Sequence, residues 1–212
     1  MKRVLFALCL LLPTTATAHP HVFIAASAGF YVDASARLTG LRIVWLYDAF
    51  STLVLYDQLD LDRDGDGVLD AGDLSRIAEG ETDWPPEYPG DTYLWQGGTP
   101  VALGRPQHGR ARMVGDRVEV SFDLPLASPL VVTGTETSLK LFDPAYYYAY
   151  TLQTVLLPSP IPPGCRTGLR PFRPDEADER LQKQLAALSI EEIPDDPNIG
   201  ARFADALRLT CD

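Results

Sequence analysis

Residues 22–46 read VFIAASAGFYVDASARLTGLRIVWL. Apolar and polar residues alternate loosely over 22–32 and again over 37–46, with Asp33-Ala34-Ser35 between the two runs. Period-two patterning broken by a turn-forming cluster predicts a β-hairpin and makes a β-rich domain the expectation. Downstream, 93–154 carries the same signature in VALG, RARMV, RVEVSFDL, LVVTG and SLKLFD, punctuated by Gly, Asp and Pro. Helical spacing appears at 50–59 (FSTLVLYDQL), and 74–79 predicts a second short helix. The segment 82–91 is proline-rich and reads as loop, and 158–174, with six prolines, reads as an extended connector. Over 176–188 Leu181, Leu185 and Leu188 share one helical face. Asn198 can cap a last helix with Ile199, Phe203 and Leu207 inward.

The chain has 212 residues, 18 Lys+Arg against 29 Asp+Glu, and a formal net charge of −11. That length suits one domain, or one domain with an insertion. Strong acidity argues against binding to a phosphate backbone, because nucleic-acid binders carry a basic footprint. Residues 1–18, MKRVLFALCLLLPTTATA, combine Lys2 and Arg3, an apolar run and a small-x-small end at Ala16-Thr17-Ala18. This is the pattern of a secretory signal, and the run is too short to stay as a membrane span. No other segment reaches spanning length. The expectation is a single exported, periplasmic domain over 19–212. Losing two basic and no acidic residues takes its charge from −11 to −13.

Export leaves two of the three cysteines, Cys165 and Cys211. In an oxidising compartment such a pair predicts a disulfide, whose loop is worth about 4 kcal/mol in the chain-entropy account. A thiolate metal site is the rival, but two thiols far apart in sequence supply too few ligands.

The sharpest motif is 62–73, DRDGDGVLDAGD. Asp62, Asp64 and Asp66 take the alternating ligand positions of a calcium-binding loop, Gly67 the sharp turn, and Val68 the carbonyl position. Leu69 is the inward apolar residue, Asp70 can act through water, and Asp73 closes the loop. Helical patterns flank it, as an EF-hand requires. The usual closing residue is Glu; the shorter Asp73 should weaken Ca²⁺ and narrow its advantage over Mg²⁺. The bland alternative is a solvated acidic turn. The expected fold class is therefore α+β: a mainly antiparallel β-domain, an EF-hand-like helix-loop-helix insertion near 50–80, and a C-terminal helical tail, about 158–212, stapled by Cys165–Cys211.

Cleavage after Ala18 would leave His19-Pro20-His21 at a new terminus. The α-amine can lose its proton to a metal and chelate together with one ring nitrogen of His19, while His21 adds a second imidazole. Pro20 has no N–H, so a square-planar site of deprotonated amides is excluded. An open, imidazole-rich site suits Zn²⁺, Ni²⁺, Co²⁺ or Cu²⁺. The bland alternative is a frayed terminus. Asp48, in WLYD at 45–48, is the candidate further ligand; Asp143 and His108 are others. Asp48 and Asp143 fit turn or capping roles equally well, and His108 lies among Arg105, Arg110 and Arg112.

HPHVFI at 19–24, WLYD, the acidic loop, FDPAYYY at 142–148 and the cysteine pair together, and in this order, resemble the domain-of-unknown-function 1007 family. Its members are associated with nickel/cobalt-type permeases and with zinc uptake. The resemblance implies a periplasmic, non-enzymatic accessory protein that supplies zinc, nickel or cobalt to an inner-membrane permease. His19 and His21 match the family's start; Asp73 departs from the commoner Glu. Two other readings stand beside it. One is a calcium-stapled structural or interaction protein that binds no transition metal, with Tyr146, Tyr147, Tyr148 and Tyr150 as a docking surface. The other is a copper monooxygenase-like protein, which needs a further histidine across the fold, and only His108 is spare.

Overall fold

The computed structural model describes residues 19–189 and 192–212. The signal read at 1–18 lies outside them. In chain order the elements are β1 (Val22–Val32), β2 (Arg37–Tyr47), α1 (Ala49–Gln58), α2 (Ala71–Gly80), β3 (Thr92–Gln96), β4 (Thr99–Val101) and β5 (Gln107–Val114). Then come β6 (Arg117–Val131), β7 (Thr137–Leu141), β8 (Tyr148–Leu156), β9 (Cys165–Arg170), α3 (Glu176–Leu185), α4 (Gly200–Phe203) and β10 (Ala206–Cys211).

The opening hairpin forms as its alternation predicts. Asp33 shapes the turn: its carboxylate accepts the N–H of Ser35 at 2.9 Å and of Arg37 at 3.0 Å. Ala26, Ala28 and Phe30 of β1 and Leu41, Ile43 and Trp45 of β2 point inward and are buried. The pair lies within a five-stranded sheet of order β5-β6-β2-β1-β8. All its pairings are antiparallel except β1–β8, which is parallel. That parallel contact is close: a side chain at Gly29 would collide with the carbonyl of Leu156.

A second sheet, β4-β3-β7-β10-β9, is antiparallel throughout. Both sheets feed one apolar core, including Phe30, Phe122 and Leu124 from the first and Leu139, Leu141, Leu207 and Leu209 from the second. Burying each such side chain contributes about 1.5–3 kcal/mol. Trp84, from the loop after α2, seals the core by stacking on Trp45 and meeting Phe122 edge-on. The helices at 49–58 and 71–80 match the expected helical segments within a few residues.

The C-terminal region differs from the expected helical tail. Leu181, Leu185 and Leu188 do pack together, with Ile199 and Phe203 in a small second cluster. The last helix, however, is only four residues, and Leu207 lies in strand β10. Leu207, Leu209 and Cys211 alternate with Arg208 and Thr210, and β10 finds a partner on each side, β7 and β9. Two ladders of backbone hydrogen bonds outweigh the local helical option. The proline-rich connector likewise holds β9. The disulfide joins Cys165 to Cys211 directly across the β9–β10 pair, with Cα atoms 4.0 Å apart, so it staples a sheet edge.

Candidate functional site

His19-Pro20-His21 runs straight into β1, and the sheet register decides what it meets. β1 pairs with β8 starting at Val22 opposite Tyr148. Just before, the N–H groups of His21 and Val22 donate to the carbonyl of Tyr147 at 2.9 and 3.2 Å. Tyr147 sits in the turn joining β7 to β8, where Tyr146 has a positive φ of 60°. Asp143 builds that turn: its carboxylate accepts the N–H of Ala145 at 3.3 Å, of Tyr147 at 2.5 Å and of Tyr148 at 3.2 Å. Asp143 thus supports the histidine segment at one remove, with its oxygens committed to backbone.

The two imidazoles lie side by side, ring centres 5.1 Å apart, and the His21 ring is 4.5 Å from that of Tyr147. His19 is only 5% exposed. Nδ1 of His19 and Nε2 of His21 are buried and have no hydrogen-bond partner. A buried nitrogen without a partner costs free energy unless something fills its lone pair. Burial, and then the neighbouring His19 charge, lower the pKa of His21 and favour the neutral, ligating form. Two imidazoles sharing a tetrahedral ion through nitrogens about 2 Å from it would place their ring centres about 5 Å apart. The 5.1 Å between the two ring centres matches that spacing.

Asp48 is not brought to this pair. It caps α1: its carboxylate accepts the N–H of Ser51 at 2.9 Å, the Ser51 hydroxyl at 2.6 Å and the Phe23 N–H at 3.0 Å. A carboxylate with three donors fixes the β2–α1 corner and has little left for a metal. His108 is engaged elsewhere too, 2.9 Å from Asp123, which also takes Arg42 at 2.9 Å. Glu192 is an acid that the sequence reading does not single out. The Ser189 N–H holds its carboxyl below the usual range, and the nearby His19 charge adds to the effect.

The acidic loop lies at the opposite end of α1. Carboxylate oxygens of Asp62, Asp64 and Asp66 lie within 4.8 Å of one another, and no other His/Cys/Asp/Glu group of three or more does so among the described residues. The turn is built as the glycine spacing predicts. Gly67, at φ 78°, donates its N–H to both oxygens of Asp62, at 3.2 and 3.1 Å, and Leu69 is buried. Asp70 caps α2 by accepting from Gly72 at 2.6 Å and Asp73 at 2.9 Å. Asp73 stands apart from the trio. It returns the capping bond to the Asp70 N–H at 3.2 Å and pairs with Arg76 at 2.5 Å.

Deeper in the fold lies an acid–tyrosine cluster that periodicity gave no hint of. Asp91 is 3% exposed and accepts the Tyr150 hydroxyl at 2.8 Å. Burial, reinforced by the negative charge of Asp143, raises its pKa to about 7. Tyr47 donates to Glu81, whose pKa burial also raises.

Two comparisons bear on this arrangement. The sequence model of a family described as "Protein of unknown function (DUF1007)" matches residues 4–211. An uncharacterized protein of Haemophilus influenzae (strain ATCC 51907 / DSM 11121 / KW20 / Rd) is 26% identical over 200 residues, covering 92% of each chain.

Proposed function

The chain belongs to the DUF1007 family, and we propose that it is a periplasmic metal-binding accessory protein that supplies zinc, nickel or cobalt to an inner-membrane permease. One observation carries this reading: two buried imidazole nitrogens, Nδ1 of His19 and Nε2 of His21, stand without partners on rings 5.1 Å apart. Nδ1 is the ring nitrogen nearer the backbone, the one able to share an ion with an α-amine freed by cleavage after Ala18. The metal is cargo here, so an open site with few protein ligands suits hand-over better than a closed one. No helix among the described residues is long and apolar enough to cross a membrane, which fits a partner supplying the membrane passage. Asp62, Asp64 and Asp66, with the Val68 carbonyl, would hold a separate calcium-type ion, Ca²⁺ or Mg²⁺, in an EF-hand-like insertion that ties α1 to α2.

Elemental analysis of protein purified from the periplasm tests both sites. His19→Ala should remove the transition metal and leave calcium; Asp62→Ala should do the reverse. Protein carrying one extra residue before His19 should bind Zn²⁺ much more weakly than protein starting at His19. A zinc content indifferent to His19→Ala would sink this assignment.

A second reading has an observation of its own. The convergence of Asp62, Asp64 and Asp66 supports a calcium-stapled interaction protein without transition-metal cargo. Calcium without zinc in the same analysis would select it.

A further inference from the structure

The outer face of the second sheet carries a concentration of positive charge that the acidic composition hides. Lys140 on β7 lies directly opposite Ala206 on β10, which lies opposite Arg170 on β9. One row along, Ser138, Arg208 and Gly168 are aligned in the same way. Residues directly opposite one another share a face, and so do residues two apart on one strand. Lys140, Arg170 and Arg208 therefore rise from one surface. Between them Ala206 and Gly168 offer only a methyl group and a hydrogen; a Cβ added at Gly168 would meet nothing within 4 Å. The result is a trough. Arg173, from the segment after β9, and Arg202, on α4, close its rim. This open groove, of about 730 Å³, is lined by all five cations and by no carboxylate.

The charges are only partly compensated. Arg202 pairs with Asp178 at 2.5 Å and Arg208 with Glu136 at 3.0 Å. Lys140 reaches only the neutral carbonyl of Ala201, at 3.3 Å. Among the described residues, none of the ion pairs within 4.0 Å includes Lys140, Arg170 or Arg173. Asp205 is close in sequence, but its oxygens take the N–H groups of Phe172 at 2.7 Å and Leu152 at 2.8 Å. Nε of Arg208 is buried without an acceptor. A second basic groove, beside α2 and β5, makes a useful contrast. It includes Arg110, but there Arg112 is neutralised by Glu119 at 2.6 Å and Arg42 by Asp123 at 2.9 Å. The sheet groove keeps a surplus of positive charge in a chain whose net charge is −11.

We propose that the groove lined by Lys140, Arg170, Arg173, Arg202 and Arg208 binds an anion of the phosphate class. Like charges gathered in one cleft repel each other and focus an attractive field on an incoming anion. Guanidinium forks match tetrahedral oxyanions through paired N–H bonds, which a monatomic anion cannot accept. The phosphate can be a free solute or the headgroup of a phospholipid; the chemistry of the groove is the same for both.

The test uses the full folded chain with its disulfide, at low ionic strength so that screening is weak. Inorganic phosphate titrated into the protein should give saturable heat and a raised unfolding temperature. Arg170→Gln/Arg173→Gln changes two exposed, unpaired side chains, so it should unfold like the parent without phosphate and bind phosphate about tenfold more weakly, or worse. Lys140→Gln should give an independent loss, and Arg110→Gln none. Co-sedimentation with phosphatidylglycerol vesicles, displaced by inorganic phosphate and lost in the double variant, would identify the headgroup as the source. Binding of inorganic phosphate with no vesicle association would identify a solute. Absence of binding in both arms overturns the proposal. So does a double variant that binds like the parent, or an equal loss in Arg110→Gln, which would mark diffuse electrostatics.

Discussion

The backbone N–H of His21 donates to the Tyr147 carbonyl at 2.9 Å while the two side-chain rings lie 4.5 Å apart. One residue, held by the Asp143 turn, thus fixes both the main chain and the ring of the second histidine.

Tyr147→Ala keeps the carbonyl and removes the ring wall; His21→Ala removes a nitrogen that a metal would use. For protein starting at His19, Tyr147→Ala should lower Zn²⁺ affinity by about 10–100-fold, the range typical of supports around a metal's ligands. His21→Ala should lower it further. Calorimetric titration reads both, and an unchanged affinity in His21→Ala would remove that residue from the ligand set.

The loop at 62–73 separates ion binding from capping. Calcium at a hundredfold excess over its dissociation constant should stabilise the protein by about 2.7 kcal/mol, and Asp62→Ala should abolish that gain. Asp70→Ala deletes the α2 cap and should cost about 1 kcal/mol even in chelator. Urea unfolding with calcium and with chelator distinguishes the two.

Asp91 makes stability fall as the pH rises. Its folded pKa of about 7 lies above the unfolded value of about 3.9. The folded state therefore holds more protons between those values. The contribution of the neutral carboxyl is complete below about pH 4 and is lost as the pH rises through about 7, up to about 4 kcal/mol in total. Asp91→Asn keeps an acceptor for Tyr150 and should flatten this part of the profile. Urea midpoints between pH 4 and 8, compared with the parent, check it; parallel profiles would contradict it.

Reduction of Cys165–Cys211, separated by 46 residues, should cost about 4 kcal/mol. Because the histidine pair stands on the other sheet, Zn²⁺ binding should survive in reduced protein that is still folded. Unfolding curves with and without reductant, paired with a zinc titration, test both halves.

What the sequence revealed was what lies within a short span. The hairpin at 22–46, the helices at 49–58 and 71–80, and the grouping of Asp62, Asp64 and Asp66 each depend on neighbours a few positions away. Asp48 shows the limit: as a lone acid after WLY it fits a ligand or a cap, and only the contacts with Ser51 and Phe23 decide for the cap. Tyr147 beneath His21 depends on a parallel register between β1 and β8, which no local pattern encodes. The same holds for Asp91 beneath Tyr150 and for the cations that three strands bring to one groove. β10 is hard to read from sequence although Leu207, Leu209 and Cys211 alternate, because the preceding Ile199 and Phe203 fit a helix equally well.

The β1–β8 pairing also sets an order of assembly. His19 and His21 are made early, but the carbonyl and ring that position them belong to a turn near the far end of the chain. A product truncated before that turn carries both histidines and none of their setting. For a histidine pair that holds a metal, competence would therefore be a mark of a finished molecule, and metal uptake would report that folding had reached completion.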